Sequence, residues 1–495
     1  MNSEQLLQIK TLGELKAIGY QNKSIKEELR DNLIAALKEK RPIFEGILGF
    51  EDTVVPDLER AILSRHNILL LGLRGQAKTR IARLLTDLLD EYIPVVGGSE
   101  LNDDPFTPLS RQAKDLIALH GDETPIQWMH RSERYVEKLA TPDVSVADLI
   151  GDIDPIKAAT LKLPYSDERV LHFGLVPRSH RCIFVINELP DLQARIQVSL
   201  FNMLQEGDIQ IRGFKLRLAL DIQFVFTANP EDYTNRGSII TPLKDRIESQ
   251  ILTHYPRTLE VARQITEQEA KLTASQQTQI QSSDLVKNIL ERIAFIARSS
   301  EFVDEKSGVS ARLTIAGYEN LVSAAERRML INGETSTAIR LTDFWGVIPA
   351  ITGKIELVYE GEQEGPYAVA LRLLHQAIKA AFLDIFPNPN KLKNGREDDP
   401  FGVIAAWFAG DNELTLLNDA PNVDYESALN AVAGLDKFVS KYANVPANEK
   451  LLYMELVLHA MAEFEMISKD LVESVFSFKD PLGGALGSLF EDDEE

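Results

Sequence analysis

The chain has 495 residues, of which 44% are hydrophobic and 26% are charged, as is typical of a soluble globular protein of about three domains. The formal net charge of −22 disfavours unspecific nucleic-acid binding, because an acidic surface repels phosphates. The single cysteine, Cys182, excludes an intrachain disulfide. No stretch has the roughly 20 apolar residues of a membrane helix, and the N-terminus lacks a signal-peptide pattern. We therefore expect a cytoplasmic protein without membrane insertion.

The first 260 residues divide into a short helical extension and a region of alternating strands and helices. Residues 1–41 predict one or two short helices, and Ser24 followed by Glu27 has the spacing of a capping box. Pro42 ends this N-terminal helical extension. Residues 42–260 alternate short apolar runs with helical spacing, which predicts an α/β core. Its buried parallel strands are expected at 67–71, 182–186 and 222–227.

The remainder of the chain is predicted to be mainly helical. Helical spacing of apolar residues covers 283–297, 316–331 and 366–386, within a helical region at 261–386. Residues 387–400 are polar and contain Pro and Gly, which is typical of a linker. A small helical C-terminal module is predicted at 401–482, with its longest amphipathic part at 451–478. The acidic tail at 483–495 is expected to be disordered.

The segment 72–79 carries the clearest chemical signal. It reads Gly-Leu-Arg-Gly-Gln-Ala-Lys-Thr and fits the phosphate-binding pattern G-x-x-x-x-G-K-[ST], except that Ala77 replaces the second glycine. Lys78 would meet the β- and γ-phosphates of ATP, and Thr79 would offer its hydroxyl to Mg²⁺. The methyl group of Ala77 fits such a loop if φ is negative there. The backbone that would curl around the phosphates belongs to Gly72, Gly75, Gln76 and Ala77.

The second candidate motif is Asn187-Glu188, directly after a predicted strand. A nucleotide site usually has Asp and then Glu here, the first for Mg²⁺ and the second for the attacking water. The amide oxygen of Asn187 can accept from a Mg²⁺-bound water but brings no negative charge, whereas Glu188 can polarise water. An ordinary strand exit can carry the same two residues, and the pairing with segment 72–79 favours the functional interpretation.

Three more residues are candidates because of their order in the chain. Asn229 follows the third predicted strand, where an amide can hold the attacking water or the γ-phosphate, although Asn before Pro is also common in turns. Arg246 and Arg312 can stabilise the charge that develops on the γ-phosphate. By composition alone, a surface salt bridge is the better explanation for each arginine.

In this order, segment 72–79, Asn187-Glu188, Asn229, Arg246 and Arg312 resemble Walker A, Walker B, sensor 1, the arginine finger and sensor 2 of AAA+ ATPases. Further segments are similar to the branch that contains the magnesium chelatase I subunit and MoxR proteins. Segment 44–50 resembles the stretch that contacts adenine there, which assigns Ile47 and Leu48 to the nucleotide. Segments 147–154, 173–176 and 180–181 resemble the helix-2 insert, and 207–220 resembles the pre-sensor-1 β-hairpin. The alternation of Ile209, Ile211, Leu216 and Leu218 around Gly213 supports that hairpin independently.

The resemblance implies an α/β fold: a three-layer αβα P-loop core with the insert and hairpin, then an α-helical lid at 261–386 and a further helical C-terminal region. It also implies an ATP-hydrolysing motor that forms a homo-hexameric ring, in which Arg246 reaches the ATP of the neighbouring subunit and Arg312 acts from the lid. Such ATPases typically remodel a partner with a von Willebrand A domain, or assist insertion of a metal or cofactor.

Three alternatives stay open at this stage. The first is a magnesium chelatase ATPase subunit proper, against which the extra segments 1–41 and 386–495 argue. The second is a nucleotide-gated scaffold with slow hydrolysis, motivated by Asn187. The third, an enhancer-binding transcription activator, is disfavoured because the sequence has no G-A-F-T-G-A-like loop and because the net charge opposes DNA binding.

Overall fold

The computed structural model describes residues 3–165, 167–211, 217–230, 238–391, 400–410, 412–472 and 475–479. The chain divides into two compact units, residues 1–255 and 256–495. The domain boundary predicted at 41/42 lies inside the first unit, and the predicted linker at 387–400 lies inside the second. Most of that linker, and all of the acidic tail at 483–495, fall outside the described residues.

The helices of the first unit are α1 (Ser3–Leu6), α2 (Leu12–Ala17), α3 (Ile25–Glu39), α4 (Val54–Leu63), α5 (Lys78–Leu84), α6 (Arg111–His120), α7 (Val146–Leu149), α8 (Pro155–Leu161), α9 (Leu175–Arg178), α10 (Ala194–Ser199), α11 (Phe201–Glu206) and α12 (Thr241–Lys244). Its strands are β1 (Ile68–Leu71), β2 (Tyr92–Val96), β3 (Ile126–His130), β4 (Tyr135–Leu139), β5 (Gly151–Ile153), β6 (Leu171–Phe173), β7 (Cys182–Asn187), β8 (Asp208–Gln210), β9 (Arg217–Ala219), β10 (Ile222–Ala228) and β11 (Ser249–Leu252).

A five-stranded sheet in the order β11-β1-β10-β7-β4 forms the centre of the first unit, and every neighbouring pair is parallel. Successive side chains of a strand point to opposite faces. Accordingly, Leu70 and Val185 pack with residues of α3, α4 and α5 on one face, whereas Leu69 and Phe184 pack with residues of α10, α11 and α12 on the other. The predicted three-layer αβα core is confirmed.

In the described part of the first unit, three two-stranded sheets accompany the central sheet. One pairs β2 with β3, and the other two lie in the predicted insert and hairpin. The insert between β4 and β7 contains the antiparallel pair β5 and β6, in which Gly151 lies opposite Phe173. Gly151 has φ of +121°, and an added Cβ would lie 2.3 Å from the His172 carbonyl oxygen, so only glycine fits there. The β8–β9 hairpin pairs Ile209 with Leu218, while its expected turn around Gly213 lies outside the described residues.

The second unit is mainly helical around one apolar core that joins the predicted lid to the predicted C-terminal module. It also contains a three-stranded antiparallel sheet that was not predicted from the sequence, with residues 414–417, 475–479 and 468–472 as its strands in spatial order. The predicted amphipathic stretch 451–478 is a helix only to Glu463. The helices are α13 (Leu259–Glu269), α14 (Ala274–Gln279), α15 (Asp284–Ala297), α16 (Arg312–Ile331), α17 (Ile348–Thr352), α18 (Tyr359–Glu364), α19 (Pro366–Ile385), α20 (Gly402–Ala409), α21 (Asn422–Ala431), α22 (Leu435–Tyr442) and α23 (Lys450–Glu463). The strands are β12 (Ile280–Gln281), β13 (Thr337–Ala338), β14 (Leu414–Leu417), β15 (Ser468–Val472) and β16 (Val475–Lys479).

Within the described part of the chain, none of the helices combines the length and the apolar composition that a bilayer span requires.

Candidate functional site

The candidate site lies at the carboxyl ends of three neighbouring strands. Leu71 at the end of β1 pairs with Ala228 of β10, and Phe226 of β10 pairs with Ile186 of β7. Because the strands are parallel and in register, the segments that follow them leave the sheet side by side. Open parallel sheets bind their ligands outside this edge, where the strand order reverses. The fold therefore brings the segments that begin at Gly72, Asn187 and Asn229 to one edge.

The loop that follows β1, which is the predicted phosphate-binding loop, is bonded to residues of both neighbouring strand segments. The Gly72 amide donates to the Ala228 carbonyl over 3.2 Å, and the Thr253 amide at the end of β11 donates to the Leu71 carbonyl over 2.9 Å. The Thr253 hydroxyl donates to the buried Gln76 side-chain oxygen over 2.7 Å. A Cβ at Gly72 would lie 2.0 Å from that hydroxyl oxygen, so only glycine allows this packing.

The expectation of a negative φ at Ala77 is wrong. Ala77 has φ of 56° and ψ of 14°, which is the left-handed conformation, and Gly75 has φ of 72°. For a residue with a Cβ this conformation costs about 1–2 kcal/mol. The loop thus keeps the backbone shape that suits glycine at residue 77, and two other residues of the loop, Gly72 and Gln76, are bonded to Ala228 and Thr253.

Lys78, Asn229 and Glu188 form one hydrogen-bonded chain. The buried Lys78 ammonium donates to the carbonyl oxygens of Gly72 and Leu73, the latter over 3.0 Å, and to Asn229 Oδ1 over 2.7 Å. Asn229 Nδ2 in turn donates to Glu188 Oε2 over 3.1 Å. These three acceptors of Lys78 are neutral oxygens, which orient the ammonium by hydrogen bonds. The structure therefore unites three of the predicted residues at the strand ends.

Asn187 is buried, and both ends of its side chain are engaged. Its Nδ2 donates to Glu137 Oε1 on the neighbouring strand β4, and its Oδ1 accepts from the Thr227 hydroxyl over 3.0 Å. The same Thr227 oxygen accepts from the backbone N–H of Glu188 over 3.2 Å. Glu188 has φ of 54° and ψ of 50°, a second left-handed residue that is not glycine. Strain of this kind collects at functional sites, where the surroundings hold it in place.

Glu137 is anchored by two further donors. Arg83 of α5 donates to Glu137 Oε2 over 2.9 Å, and the Tyr135 hydroxyl donates to the same oxygen over 3.1 Å. Burial, followed by the negative charge of Glu137, raises the pKa of Tyr135, so its hydroxyl stays protonated and remains a donor. Arg83 lies in the last turn of the helix that Lys78 begins, so Glu137 ties the carboxyl end of that helix to the tip of β7.

The predicted adenine segment is braced by the residues after β11. Ile47 is buried in the same apolar cluster as Ile81 of α5, against which Ala77 also packs, and Leu48 is half-buried beside it in the sequence. The Phe50 ring packs edge-on against His254 with ring centroids 4.9 Å apart. This segment and the loop at 72–79 therefore belong to one packed region.

Arg246 has contacts of its own in the first unit, and Arg312 belongs to the second unit. The Arg246 guanidinium lies 4.8 Å from the centre of the Phe201 ring and donates to Gln205 Oε1 over 3.1 Å and to the Pro242 carbonyl over 2.7 Å. Residues 201 and 205 belong to α11, so Arg246 is held in a defined place on the first unit. Arg312 is the exposed first residue of α16 in the second unit.

Three residues that bond to the predicted ones were not predicted from the sequence: Glu137, Thr227 and Thr253. Thr227 directly precedes Ala228-Asn229 on a predicted strand, so its place near the strand tip was available from the sequence. Glu137 lies on β4, whose mixed polar pattern did not predict a strand. Thr253 follows β11, a short strand of alternating burial.

A magnesium ion would need ligands from the nucleotide as well as from the protein. Among the described residues, no group of three or more His, Cys, Asp or Glu side chains could hold a metal ion. Mg²⁺ in proteins is commonly bound through few side chains together with substrate phosphates and water. The half-buried Thr79 hydroxyl beside Lys78 fits that arrangement. Asn187 Oδ1 accepts one hydrogen bond, from the Thr227 hydroxyl, and keeps a second lone pair that could accept from a Mg²⁺-bound water.

No protein-family model matches the chain. Solved structures with a partial likeness include the BchI–BchD complex of magnesium chelatase, with 20% identity over 65% of this chain and 98% of that chain, at a TM-score of 0.33. The Thermotoga maritima RuvB Holliday junction branch migration motor has 12% identity over 74% of this chain and 77% of that chain, at 0.31. Hsp104 has 13% identity over 63% of this chain and 50% of that chain, at 0.35. At these TM-scores none of them decides what this chain does.

Proposed function

We propose that this protein binds and hydrolyses ATP as an AAA+ motor of the MoxR and magnesium chelatase type. The observation that carries the proposal is the bonded chain of Lys78, Asn229 and Glu188 at the tips of adjacent parallel strands. Beside a phosphate-binding loop, ATP hydrolysis needs a cation that binds the phosphates. It also needs an amide and a carboxylate that hold and polarise the attacking water.

The proposed roles follow from the chemistry of each group. Lys78 and the loop 72–77 would bind the phosphates, and Ile47 with Leu48 would contact the base. Thr79 would contribute a hydroxyl to Mg²⁺, which when bound neutralises phosphate charge. Glu188 would polarise the attacking water, aided by Asn229. As the new P–O bond forms, the bond from the γ-phosphorus to the bridging oxygen breaks, and the proton lost by the water ends on the released phosphate.

The partner and the assembly are also part of the proposal. We propose a homo-hexameric ring in which Arg246 reaches a neighbour's ATP and Arg312 acts from the lid. The fixed placement of the Arg246 guanidinium on Phe201 and Gln205 supports this role, because an arginine that acts in trans benefits from being pre-positioned. The work would be the remodelling of a partner protein, with a von Willebrand A-domain protein as the first candidate.

The deciding experiment measures ATP binding and phosphate release for the wild type, Lys78→Ala and Glu188→Gln. We expect Lys78→Ala to weaken ATP binding at least about tenfold, because a charged contact to phosphate is lost. We expect Glu188→Gln to bind ATP but to lower kcat by about a hundredfold, because the carboxylate acts on the attacking water. Lys114→Ala, at an exposed lysine of α6, is the matched control and should change neither value.

Two results would contradict the proposal. Wild-type protein that does not bind ATP excludes the nucleotide site altogether. Phosphate release that survives Lys78→Ala assigns the activity to a contaminant or to another site.

A second candidate is a nucleotide-gated scaffold that binds ATP and hardly hydrolyses it. The uncharged Asn187 at the tip of β7 favours it, since the acid usually found there is missing. Wild-type turnover no faster than that of Glu188→Gln, together with tight ATP binding, would support the scaffold over the motor.

A further inference from the structure

The side chain of Asn187 bonds to two groups whose strands are not neighbours in the sheet. Glu137 on β4 lies at one end of the amide and Thr227 on β10 at the other, so the amide crosses the tip of β7 between its two neighbouring strands. Asn187 has 8% of its surface exposed, which means that these bonds are largely shielded from water.

The direction of every bond in this chain is fixed by chemistry. An ionised carboxylate only accepts, so Glu137 must face the amide nitrogen, and the amide oxygen must face Thr227. The single hydroxyl proton of Thr227 then goes to Asn187 Oδ1. This leaves a lone pair on the Thr227 oxygen for the backbone N–H of Glu188. An aspartate at residue 187 could accept from Thr227 but could donate nothing to Glu137.

We infer that Glu137 and Asn187 are positioning residues that act through Thr227 to hold Glu188 in its left-handed backbone conformation. This inference rests on the proposed function, in which Glu188 polarises the attacking water. The chain ends on the amide of the one residue at this tip with φ of 54°, and the Glu188 carboxylate is held from the other side by Asn229 over 3.1 Å. Backbone and side chain of Glu188 are thus fixed separately.

Asn187 is then a required amide donor and not a lost acid. If Asn187 were simply a lost acid, Asn187→Asp would repair the site and raise turnover. In the arrangement described here, Asn187→Asp places a second carboxylate against Glu137 and removes the donor between them. Arg83 and Tyr135 already bond to Glu137 Oε2, so the repulsion falls on the oxygen that faces residue 187. The substitution should therefore harm the site.

The test exchanges the donor and the acceptor. Asn187→Asp and Glu137→Gln are made singly and together, since in the double variant the new amide at residue 137 can donate to the new carboxylate at residue 187, and the pair keeps one negative charge. We expect Asn187→Asp alone to lower kcat about tenfold or more while ATP affinity changes less than about threefold, because the water-polarising group is misplaced and the phosphate loop is not. The double variant should be more active than either single variant.

Two further readouts separate positioning from general damage. The melting temperature with and without ATP shows whether each variant is folded and still binds nucleotide. Asn430→Asp, at an exposed residue of α21, controls for the added charge and should leave kcat unchanged. A merely structural role would move the melting temperature and kcat together, whereas the inference expects kcat to change in variants that still respond to ATP.

The possible outcomes test this inference separately from the proposed ATP hydrolysis. Asn187→Asp with turnover equal to or above that of the wild type would overturn the inference and leave the ATPase proposal standing. A double variant no better than the worse single variant would also overturn it. Wild-type protein without ATP turnover would overturn the proposed hydrolysis itself.

Discussion

Individual residues at the candidate site combine strain with tight hydrogen bonding. Ala77 and Glu188 both have positive φ without being glycine, and one precedes the Lys78 side chain while the other carries the proposed catalytic carboxylate. Each such residue costs about 1–3 kcal/mol, which the surrounding bonds must offset. The strain is confined to these two residues of the site. The hydrogen bonds around them give the side chains of Lys78, Asn229 and Glu188 a defined direction.

A single carboxyl group in the second unit should make stability depend on pH. Glu291 of α15 is buried beside the hydroxyl of Thr266, which also bonds to Thr314 over 2.8 Å. Burial raises the pKa of Glu291 to about 7 from its usual 4.5, against the opposing effects of Thr266 and of the positive charge of Arg298, while Glu267 adds to the rise. The ionised form is therefore penalised in the folded state.

The sign of the effect follows from linkage. A carboxyl group whose folded pKa is raised contributes stability below its unfolded pKa and loses that contribution as pH rises through the folded pKa. We expect the free energy of unfolding of Glu291→Gln to rise relative to that of the wild type as the pH increases from about 5 to about 8. The total change in this difference should be about 3 kcal/mol. Urea unfolding in a Trp128→Phe background, where Trp345 and Trp407 report the second unit, measures this. A difference that stays constant with pH would contradict it.

At the scale of elements, the N-terminal extension is part of the first unit's core. The capping box predicted at Ser24 and Glu27 is confirmed at the start of α3. Leu29 and Leu33 of this helix pack in the same cluster as Leu70 of β1. Its Glu28 also forms a buried two-point ion pair with Arg134, at 2.6 and 2.7 Å, just before β4. Helix α3 is therefore fastened to the strand that carries Glu137.

Breaking this ion pair should destabilise the first unit strongly. Glu28→Ala leaves the Arg134 guanidinium, only 1% exposed, without its anion, and a broken buried pair costs about 3–5 kcal/mol. Glu39→Ala on the same helix is the matched control, since its pair with Arg41 is exposed and worth about 0–1 kcal/mol. The free energy of unfolding is read from Trp128 in a Trp345→Phe/Trp407→Phe background. Equal losses for both variants would contradict the prediction.

At the scale of the whole molecule, the two units have separate cores. The first unit packs on both faces of its central sheet, and the second around its helices. The proposed ring would add contacts between subunits, because each ATP site would be completed by the neighbouring subunit. Arg246 is the residue through which that proposal can be tested.

Subunit mixing tests the shared site. Arg246→Ala should bind ATP but release phosphate slowly, as Glu188→Gln should. In a mixture of equal parts, about one quarter of the ring interfaces would combine an intact Glu188 with an intact Arg246, so turnover should rise above that of either variant alone. Each variant by itself, at the same total protein concentration, is the baseline. If turnover does not rise although mixed oligomers form, Arg246 does not act in trans.

The sequence by itself determined the parts of this protein that depend on local pattern. The loop 72–79, the strands ending near Asn187 and Asn229 and the β8–β9 hairpin were predictable, because near-continuous apolar runs mark buried parallel strands and alternation around glycine marks a hairpin. The helices at 283–297 and 366–386 were predictable from their apolar spacing in the same way.

Only the tertiary structure decided how these parts are connected. Glu137 bonds to Asn187 from a strand 50 residues away in sequence, and Thr253 supports Gln76 from a distance of 177 residues. Neither β4 nor β11 has an apolar run, because both lie at the edges of the sheet, where most of their residues are only partly buried or exposed. The left-handed backbone at Ala77, next to Gln76, was likewise not predicted from the sequence. The local sequence indicates the propensity for helix, strand or turn. A hydrogen bond between side chains of different strands forms only once the sheet has formed.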